Sequence, residues 1–407
     1  MLTEGVATTS ACAVVVGLAV VAGCGEGASR DGFDAEALPV LTLTEELRIG
    51  SVDDPDLGFS RIGGVTVDED GNVYVLERQD REVRVFDPAG RLLRVIGGEG
   101  EGPGEFRDPL LLGFRGDSLW VNDGRLRRIT MFNREGEVLS TFQTGLDLTV
   151  SHPAPGVTMT EFHTGALRSD GLLDMRWPPL VSWSQALALP DSVAVPVLRF
   201  DRAGNVVDTT AWDAYWFDVV RVALGGQEFW TPVPAPGTPL RLREEDVLVH
   251  VDRRPAGGEA ATFAVTRTRS TNDTVYHRVF HYRPRAFSTA WVDSVVGAFA
   301  TRMGRALQAD SSVAARAFRE AAALPAFQPP VSLIRSGADG SLWLRREVDT
   351  GERYRWMILR PDGSPRGQVE LPKGTTLQWM SGDVVYAVER DDLDVPWIVR
   401  YGMRRTR

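Results

Sequence analysis

Cysteine is nearly missing: Cys12 and Cys24 are the only two in 407 residues. So few thiols exclude a disulfide framework or a cysteine-ligated zinc site. Lysine is scarcer still, since Lys373 stands alone and every other Lys/Arg position is arginine. The 45 basic residues are outnumbered by 55 acidic ones, giving a formal net charge of −10. That balance opposes general affinity for nucleic acid or anionic membrane surfaces. No stretch reaches the roughly 18 consecutive apolar residues of a membrane-spanning helix. The patterns G-x-S-x-G, H-E-x-x-H and G-x-x-x-x-G-K-[ST] are also absent, so no nucleophile elbow, zinc-protease helix or phosphate loop is written in the chain. What is present is ordinary globular composition, 43% hydrophobic with 41 Gly and 24 Pro, which excludes wholesale disorder and collagen-like repeats.

The apolar run over residues 11–23, ACAVVVGLAVVAG, has the length of a signal-peptide core. It ends in Val21-Ala22-Gly23-Cys24 and is followed by Gly25-Glu26-Gly27-Ala28-Ser29. This resembles the bacterial lipobox, where small residues admit the backbone to the peptidase and the following thiol receives a diacylglycerol. The leader carries one charge, Glu4, in place of the usual basic residues. The resemblance implies a signal peptide over 1–23, lipidation of Cys24, and a flexible tether over 24–37. It also implies a periplasm-facing place in the cell envelope, at the outer membrane, with the membrane as a partner through the lipid. Cys12 then leaves with the leader, and a cysteine nucleophile is excluded from the mature body.

A repeat follows. Residues 62–97, IGGVTVDEDGNVYVLERQDREVRVFDPAGRLLRVIG, divide into four short β-type runs at 64–67, 72–76, 82–86 and 92–96. Asp68-Glu69-Asp70-Gly71 and Asp87-Pro88-Ala89-Gly90 between them are tight-turn chemistry, with Asp accepting local backbone hydrogen bonds and Gly tolerating positive φ. The unit returns as Gly116-Asp117-Ser118-Leu119-Trp120-Val121 and Asn133-Arg134-Glu135-Gly136, then as Asp201-Arg202-Ala203-Gly204. An eroded fourth copy places strands at 246–251, 262–268 and 274–282 with a turn at Asn272-Asp273. The fifth contains Asp339-Gly340-Ser341-Leu342-Trp343-Leu344, and the sixth Ser381-Gly382-Asp383 to Val388 and on to Met403. Four strands per 40–50 residues is the signature of a propeller blade. The reading is therefore all-β: a six-bladed β-propeller over 38–403, closed by an N-terminal strand near residues 41–49 because the last copy ends after its third strand.

Gly98-Glu99-Gly100-Glu101-Gly102-Pro103-Gly104-Glu105-Phe106 resembles the NHL-repeat group of six-bladed propellers. The closing Arg390-Asp391-Asp392-Leu393-Asp394-Val395-Pro396 resembles propeller lipoproteins of environmental bacteria. The glycine-rich 97–104 run reads as a flexible connector, since it does not lead from a strand into a helix. Residues 177–197 and 225–240 read as long loops, and 288–325 as a helical insertion between blades four and five. There Ser288 is the N-cap, Pro325 the stop, and Trp291, Val295, Phe299 and Met303 share one face.

Ligands of propellers bind where loops meet the central channel. On the face carrying the second-to-third strand loops, Arg78, Asn122, Asp123, Arg346 and Glu347 follow equivalent second strands and are expected to converge around one channel mouth. Asp80, Arg81, Arg125, Asp349, Arg390, Asp391 and Asp392 belong to the same loops. Arginine there can clamp a small polar or anionic ligand through two in-plane hydrogen bonds. The fold also resembles gluconolactonase-like propellers, which bind a divalent ion with Glu, Asn and Asp, and Glu77, Asn122, Asp123 and Glu347 can be read that way. The five histidines offer no alternative metal site, because His277 and His281 stand about 13 Å apart along one strand. The sequence thus points to a binding or scaffold module for a protein or small polar ligand, without nucleic acid and without a required cofactor. The alternatives are a divalent-metal lactonase or lyase, and a sensory propeller that engages a partner through its helical insertion. If Cys24 is the acylation site, Cys24→Ser leaves the protein unlipidated and out of the membrane fraction; a wild-type protein with no mass shift on Cys24 overturns this.

Overall fold

The computed structural model describes residues 32–405, apart from 55–56, 144–149, 152–157, 160–162, 168–172, 177–191, 202, 204, 217–218, 233–237, 245–246, 255–260, 270–272, 308–309, 323 and 349–350. The leader over 1–23, Cys24, the start of the tether, His152, most of the loop begun at 177, Asn272 and Asp349 lie outside the described residues.

Antiparallel meanders dominate. The first sheet runs Ile62–Val67, Val73–Glu77, Glu82–Phe86 and Leu92–Gly97, each strand hydrogen-bonded to the next in sequence. The second comprises Pro109–Arg115, Ser118–Asp123, Arg128–Phe132 and Val138–Gln143. The third comprises His163–Leu167, Leu173–Arg176, Ser192–Phe200 and Val206–Trp216. The fourth begins with Leu240–Glu244, Val247–Asp252, Thr262–Thr268 and Thr274–His281. The fifth holds Val331–Ser336, Leu342–Arg346, Arg353–Leu359 and Pro365–Pro372, and the sixth Thr376–Ser381, Val384–Arg390 and Pro396–Arg405. The outer edge of this last sheet is completed by Leu41–Ile49, antiparallel to Pro396–Arg405 with Leu41 opposite Arg405 and Ile49 opposite Ile398.

The turns repeat one device. Asp68 accepts the N–H groups of Asp70 (3.0 Å) and Asn72 (2.8 Å), and Gly71 takes φ +83°. Asp87 does the same for Ala89 and Arg91 with Gly90 at φ +82°, and Asp201 for Ala203 and Asn205. A side chain that satisfies two backbone donors, followed by a residue free to turn left-handed, reverses the chain in the fewest residues.

Alternation within the strands explains why sheets stack. Val73 and Val75 pack with Tyr386, Val388 and Ile398 of the sixth sheet, whereas Tyr74 and Leu76 pack with Leu119, Val121 and Phe132 of the second. Leu342 and Leu344 meet Val249, Val251 and Phe263 of the fourth sheet, while Trp343 meets Leu377, Met380 and Val385 of the sixth. A strand apolar on both faces needs a neighbour on each side, and each large side chain so covered contributes about 1.5–3 kcal/mol. Sheets stacked in this way are the blades of a β-propeller.

Three expectations are corrected. The tether expected over 24–37 ends early: Phe33–Asp34 adds a parallel edge strand beside Thr274–His281, Phe33 stacks on Phe280 at 5.5 Å, and Ala35 is fully buried. The glycine-rich connector is ordered. Phe106 is fully buried, its N–H donates to Gly98 O (2.8 Å), and Arg128 donates to the carbonyls of Glu101, Gly102 and Glu105. The expected long loops contain strands, since Ser192–Phe200 belongs to the third sheet and Gln227–Pro232 pairs with Val219–Leu224 in a separate hairpin.

Residues 288–325 form two helices, α1 (Thr289–Leu307) and α2 (Ser311–Ala321). Ser288 Oγ accepts the Trp291 N–H at 3.1 Å, and Asp310 caps α2. Val296, Phe299 and Ala300 of α1, with Ala314 and Phe318 of α2, bury against Val220, Val222 and Leu224 of that hairpin. The helical ends are zipped together: Ala286 pairs with Phe327, and Gln328 N–H donates to Arg285 O at 2.8 Å.

Deleting residues 1–50 removes the strand that covers the edge of Pro396–Arg405, together with the buried Leu41 and Ile49. The truncated protein is expected to melt about 5 °C or more below the full chain in a single transition. An unchanged melting temperature by circular dichroism overturns this role for the strand.

Candidate functional site

At or beside the end of the second strand, five of the sheets carry a charged residue that is buried or half-buried: Glu77, Asp123, Arg253, Arg346 and Glu389. Glu77 is fully buried, and its carboxylate accepts the N–H groups of Ser60 (3.0 Å), Arg61 (2.8 Å) and Gln79 (3.1 Å). Asp123, 1% exposed, occupies the same place in the second sheet and accepts from Arg107 (2.6 Å), Asp108 (3.1 Å) and Leu126 (2.8 Å). In the fourth and fifth sheets the sign is reversed. Arg253 Nε donates to Thr238 O (2.7 Å), and Arg346 Nε donates to Pro330 O (3.1 Å). In the sixth, Glu389 accepts from Thr375 Oγ1 (3.3 Å), Arg48 Nη2 (3.0 Å) and the Tyr401 hydroxyl. Burial and the hydrogen bond to Glu389 hold the Tyr401 phenol well above its usual pKa.

Of the five residues expected to converge, Arg78 and Asp123 are linked by hydrogen bonds, and Arg346 is engaged by other partners. Arg78 Nη2 donates to Asp108 Oδ1 (2.7 Å), and Asp108 N–H donates to Asp123, so Arg78 and Asp123 are joined through Asp108. Asn122 is half-buried in its strand opposite Leu111 and Ile129. Glu347 lies 3.8 Å from Arg345, and Arg346 Nη2 donates to Glu36 Oε1 at 2.8 Å. No hydrogen bond or ion pair among the described residues joins Arg78, Asn122 or Asp123 to Arg346 or Glu347. Of the wider loop set, Asp391 shapes its own turn by accepting from Leu393 N–H, Val395 N–H and Trp397 Nε1, and the indole bond is the main cause of its lowered pKa.

These residues do not fit a divalent cation. The oxygens of Glu77 and Asp123 are directed at backbone N–H groups, the donors a cation would have to displace. Among the described residues no group of three or more His, Cys, Asp or Glu side chains is placed to hold a metal.

A pocket does form at the Arg346 end of the fifth sheet. It encloses ≈ 590 Å³ and is lined by Asp34, Glu36, His281, Tyr282, Arg283 and Phe327, among others. The N-terminal strap supplies Asp34 and Glu36, the end of the fourth sheet supplies His281 to Arg283, and the re-entry of the helical insertion supplies Phe327. Asp34 Oδ1 accepts the Glu36 N–H at 2.8 Å and fixes the strap. Glu36 reaches the buried guanidinium of Arg346, which lies over the Phe263 ring at 5.4 Å and leaves Nη1 without a partner. Burial depresses the Arg346 pKa, and the Glu36 carboxylate works against that depression. Of the residues expected at a site, Arg346 is bonded to Glu36 of this pocket, whereas the lining residues themselves were not among those expected. The only trace of the strap in the sequence is the alternation Phe33-Asp34-Ala35-Glu36 after a Gly/Ser-rich stretch.

No protein-family model matches the chain, and no curated protein is similar to it. Solved structures that resemble it include a protein from Bacteroides fragilis described as exported, at 11% identity and a TM-score of 0.44, covering 92% of this chain and 97% of that one. Virginiamycin B lyase from Staphylococcus aureus is 12% identical with a TM-score of 0.35, over 89% of this chain and 99% of the lyase. Regucalcin, a calcium-binding protein from Agrobacterium tumefaciens, is 12% identical with a TM-score of 0.35, over 90% and 97%.

The Glu36–Arg346 pair makes a measurable claim. Arg346 has a side chain 1% exposed, and among the described residues Glu36 supplies its only carboxylate partner. A double-mutant cycle with Glu36→Ala and Arg346→Leu, followed by urea unfolding, is expected to give a coupling of about 1–3 kcal/mol. Additivity of the two changes within about 0.5 kcal/mol refutes the pair as a fastening of the strap.

Proposed function

We propose that the chain is a lipid-anchored, six-bladed propeller of the bacterial cell envelope that binds a small polar molecule in the pocket between the N-terminal strap and the neck of the helical insertion. The observation that supports it is the pocket itself. Its ≈ 590 Å³ falls in the range of small-ligand sites, about 300–1,000 Å³. Tyr282 and Phe327 offer it aromatic surface, while Asp34 and Arg283 present opposite charges that are both exposed to solvent. A zwitterion suits such a wall: its cationic group faces Asp34 and its carboxylate the Arg283 fork, which accommodates two in-plane hydrogen bonds. Glu36 is already engaged by Arg346 and the Arg283 N–H, so it shapes the pocket more than it binds. Cys24 provides the attachment in this reading, on the sequence alone.

The test is a thermal-shift and NMR titration with a panel of amino acids. At least one member is expected to raise the melting temperature of wild-type protein, and the rise is lost in Asp34→Asn/Arg283→Ala, where Asn keeps the Oδ1 acceptor for the Glu36 N–H. Both substituted residues are exposed, so the variant folds. A panel without effect on wild type, or an equal shift in the variant, rejects this pocket as the ligand seat.

A further inference from the structure

The opposite end of the fifth and sixth sheets carries a second concavity, independent of the pocket proposed above. The turn at 337–341, the turn at Gly382-Asp383 and the end of Pro396–Arg405 surround a cleft of ≈ 680 Å³. Arg360 and Arg366 come from the fifth sheet, Arg404 and Arg405 from the sixth, and Asp339 and Asp383 also line it.

Both carboxylates are already engaged. Asp383 is ion-paired with Arg366, which also donates to Gly382 O. Asp339 accepts the N–H groups of Ser341 (3.0 Å) and Gly382 (2.9 Å). Burial alone would raise the Asp339 pKa, but these donors and the Ser341 hydroxyl outweigh it and hold the group below its usual range. Arg360 is oriented by its bond to Pro365 O at 2.7 Å. The guanidinium groups of Arg404 and Arg405 are exposed and have no hydrogen-bond or ion-pair partner among the described residues. The cleft therefore carries more positive than negative charge in a chain of net charge −10, and a concave wall concentrates that field.

We propose that this cleft is a phosphate-binding site. Guanidinium forks reach it from two sheets, so an anion held there meets donors in more than one plane. A tetrahedral phosphoryl group presents oxygens in several directions, whereas a carboxylate presents two in one plane. The source is either a soluble phosphate ester or the head group of a phospholipid, and both share this chemistry.

Inorganic phosphate titrated into the full chain and followed by ³¹P NMR tests the site, with succinate as the carboxylate comparison. Wild type is expected to broaden and shift the phosphate resonance. Arg404→Ala/Arg405→Ala, at an exposed strand end, is expected to weaken that binding at least tenfold with an unchanged melting temperature. Arg404→Lys/Arg405→Lys is expected to restore it only in part, since an ammonium keeps charge without the fork. Phosphate binding equal in wild type and the alanine variant, no binding in either, or succinate bound as tightly as phosphate overturns the proposal. Flotation then separates the sources. Vesicles of phosphatidylglycerol that capture unlipidated wild-type protein but not the alanine variant support a head group, and phosphate binding without capture supports a soluble ester. Neither result depends on the pocket at Asp34 and Arg283, which can fail its own test separately.

Discussion

Burial on both faces of the inner blade strands, such as Val73–Glu77 and Leu342–Arg346, is the constraint from which the rest follows. In Leu342–Arg346 the odd and even side chains belong to two different cores, Trp343 to one and Leu342 with Leu344 to the other. Such a strand cannot be half-solvated, so no sheet can stand at an end of the stack without exposing a full apolar face. The chain meets this by returning its N-terminal region to its C-terminal one. Leu41–Ile49 joins the sixth sheet, and its two ends contribute to cores on either side of that sheet, Leu41 with Trp343 and Ile49 with Val75. Closure is thus packing as well as hydrogen bonding.

The same geometry determines what the strand ends can do. At the close of each second strand the chain must leave the sheet, and the incoming segment beside it has backbone groups without a ladder partner. Glu77 and Asp123 supply acceptors for exposed N–H groups, while Arg253 and Arg346 supply donors for carbonyls. One position performs one task with either sign of charge. These groups are consequently engaged in the fold through their backbone partners.

Much of the fold was legible because its signals are local. Asp68 to Asn72 carries the whole of its turn within five residues, and Val73–Glu77 carries its two-faced burial in its own alternation. The candidate site was less legible because its decisive contacts are distant. Arg346 meets Glu36 across 310 residues, and nothing near either residue announces the other. The connector at 97–106 read as flexible because glycine signals freedom locally, yet Gly97 is required by crowding: a Cβ there would stand 2.2 Å from Phe106 Cε2. The hairpin Val219–Leu224/Gln227–Pro232 was hidden for a related reason. Its apolar face is covered by α1 and α2, elements that follow it by some sixty residues or more, so no neighbouring strand pattern marks it as part of a sheet.

Regular blades and irregular additions therefore divide the work. The blades use their charged strand ends to satisfy backbone groups, and the walls of the pocket come from segments that the repeat does not dictate. Two such segments, the strap at Phe33 to Glu36 and the neck of the insertion at Arg283 and Phe327, meet on the fourth and fifth sheets and enclose the pocket. Neither belongs to the meander; the strap is fixed to it by Phe33 on Phe280 and Glu36 on Arg346, and the two ends of the neck are held to each other by the Ala286–Phe327 pairing. A site built this way has rigid backing and variable walls, the arrangement in which loops carry function on a scaffold. The buried Arg346 is the joint between the two. It ends a blade strand by bonding Pro330 O, and with the same guanidinium holds the strap that forms one wall of the pocket.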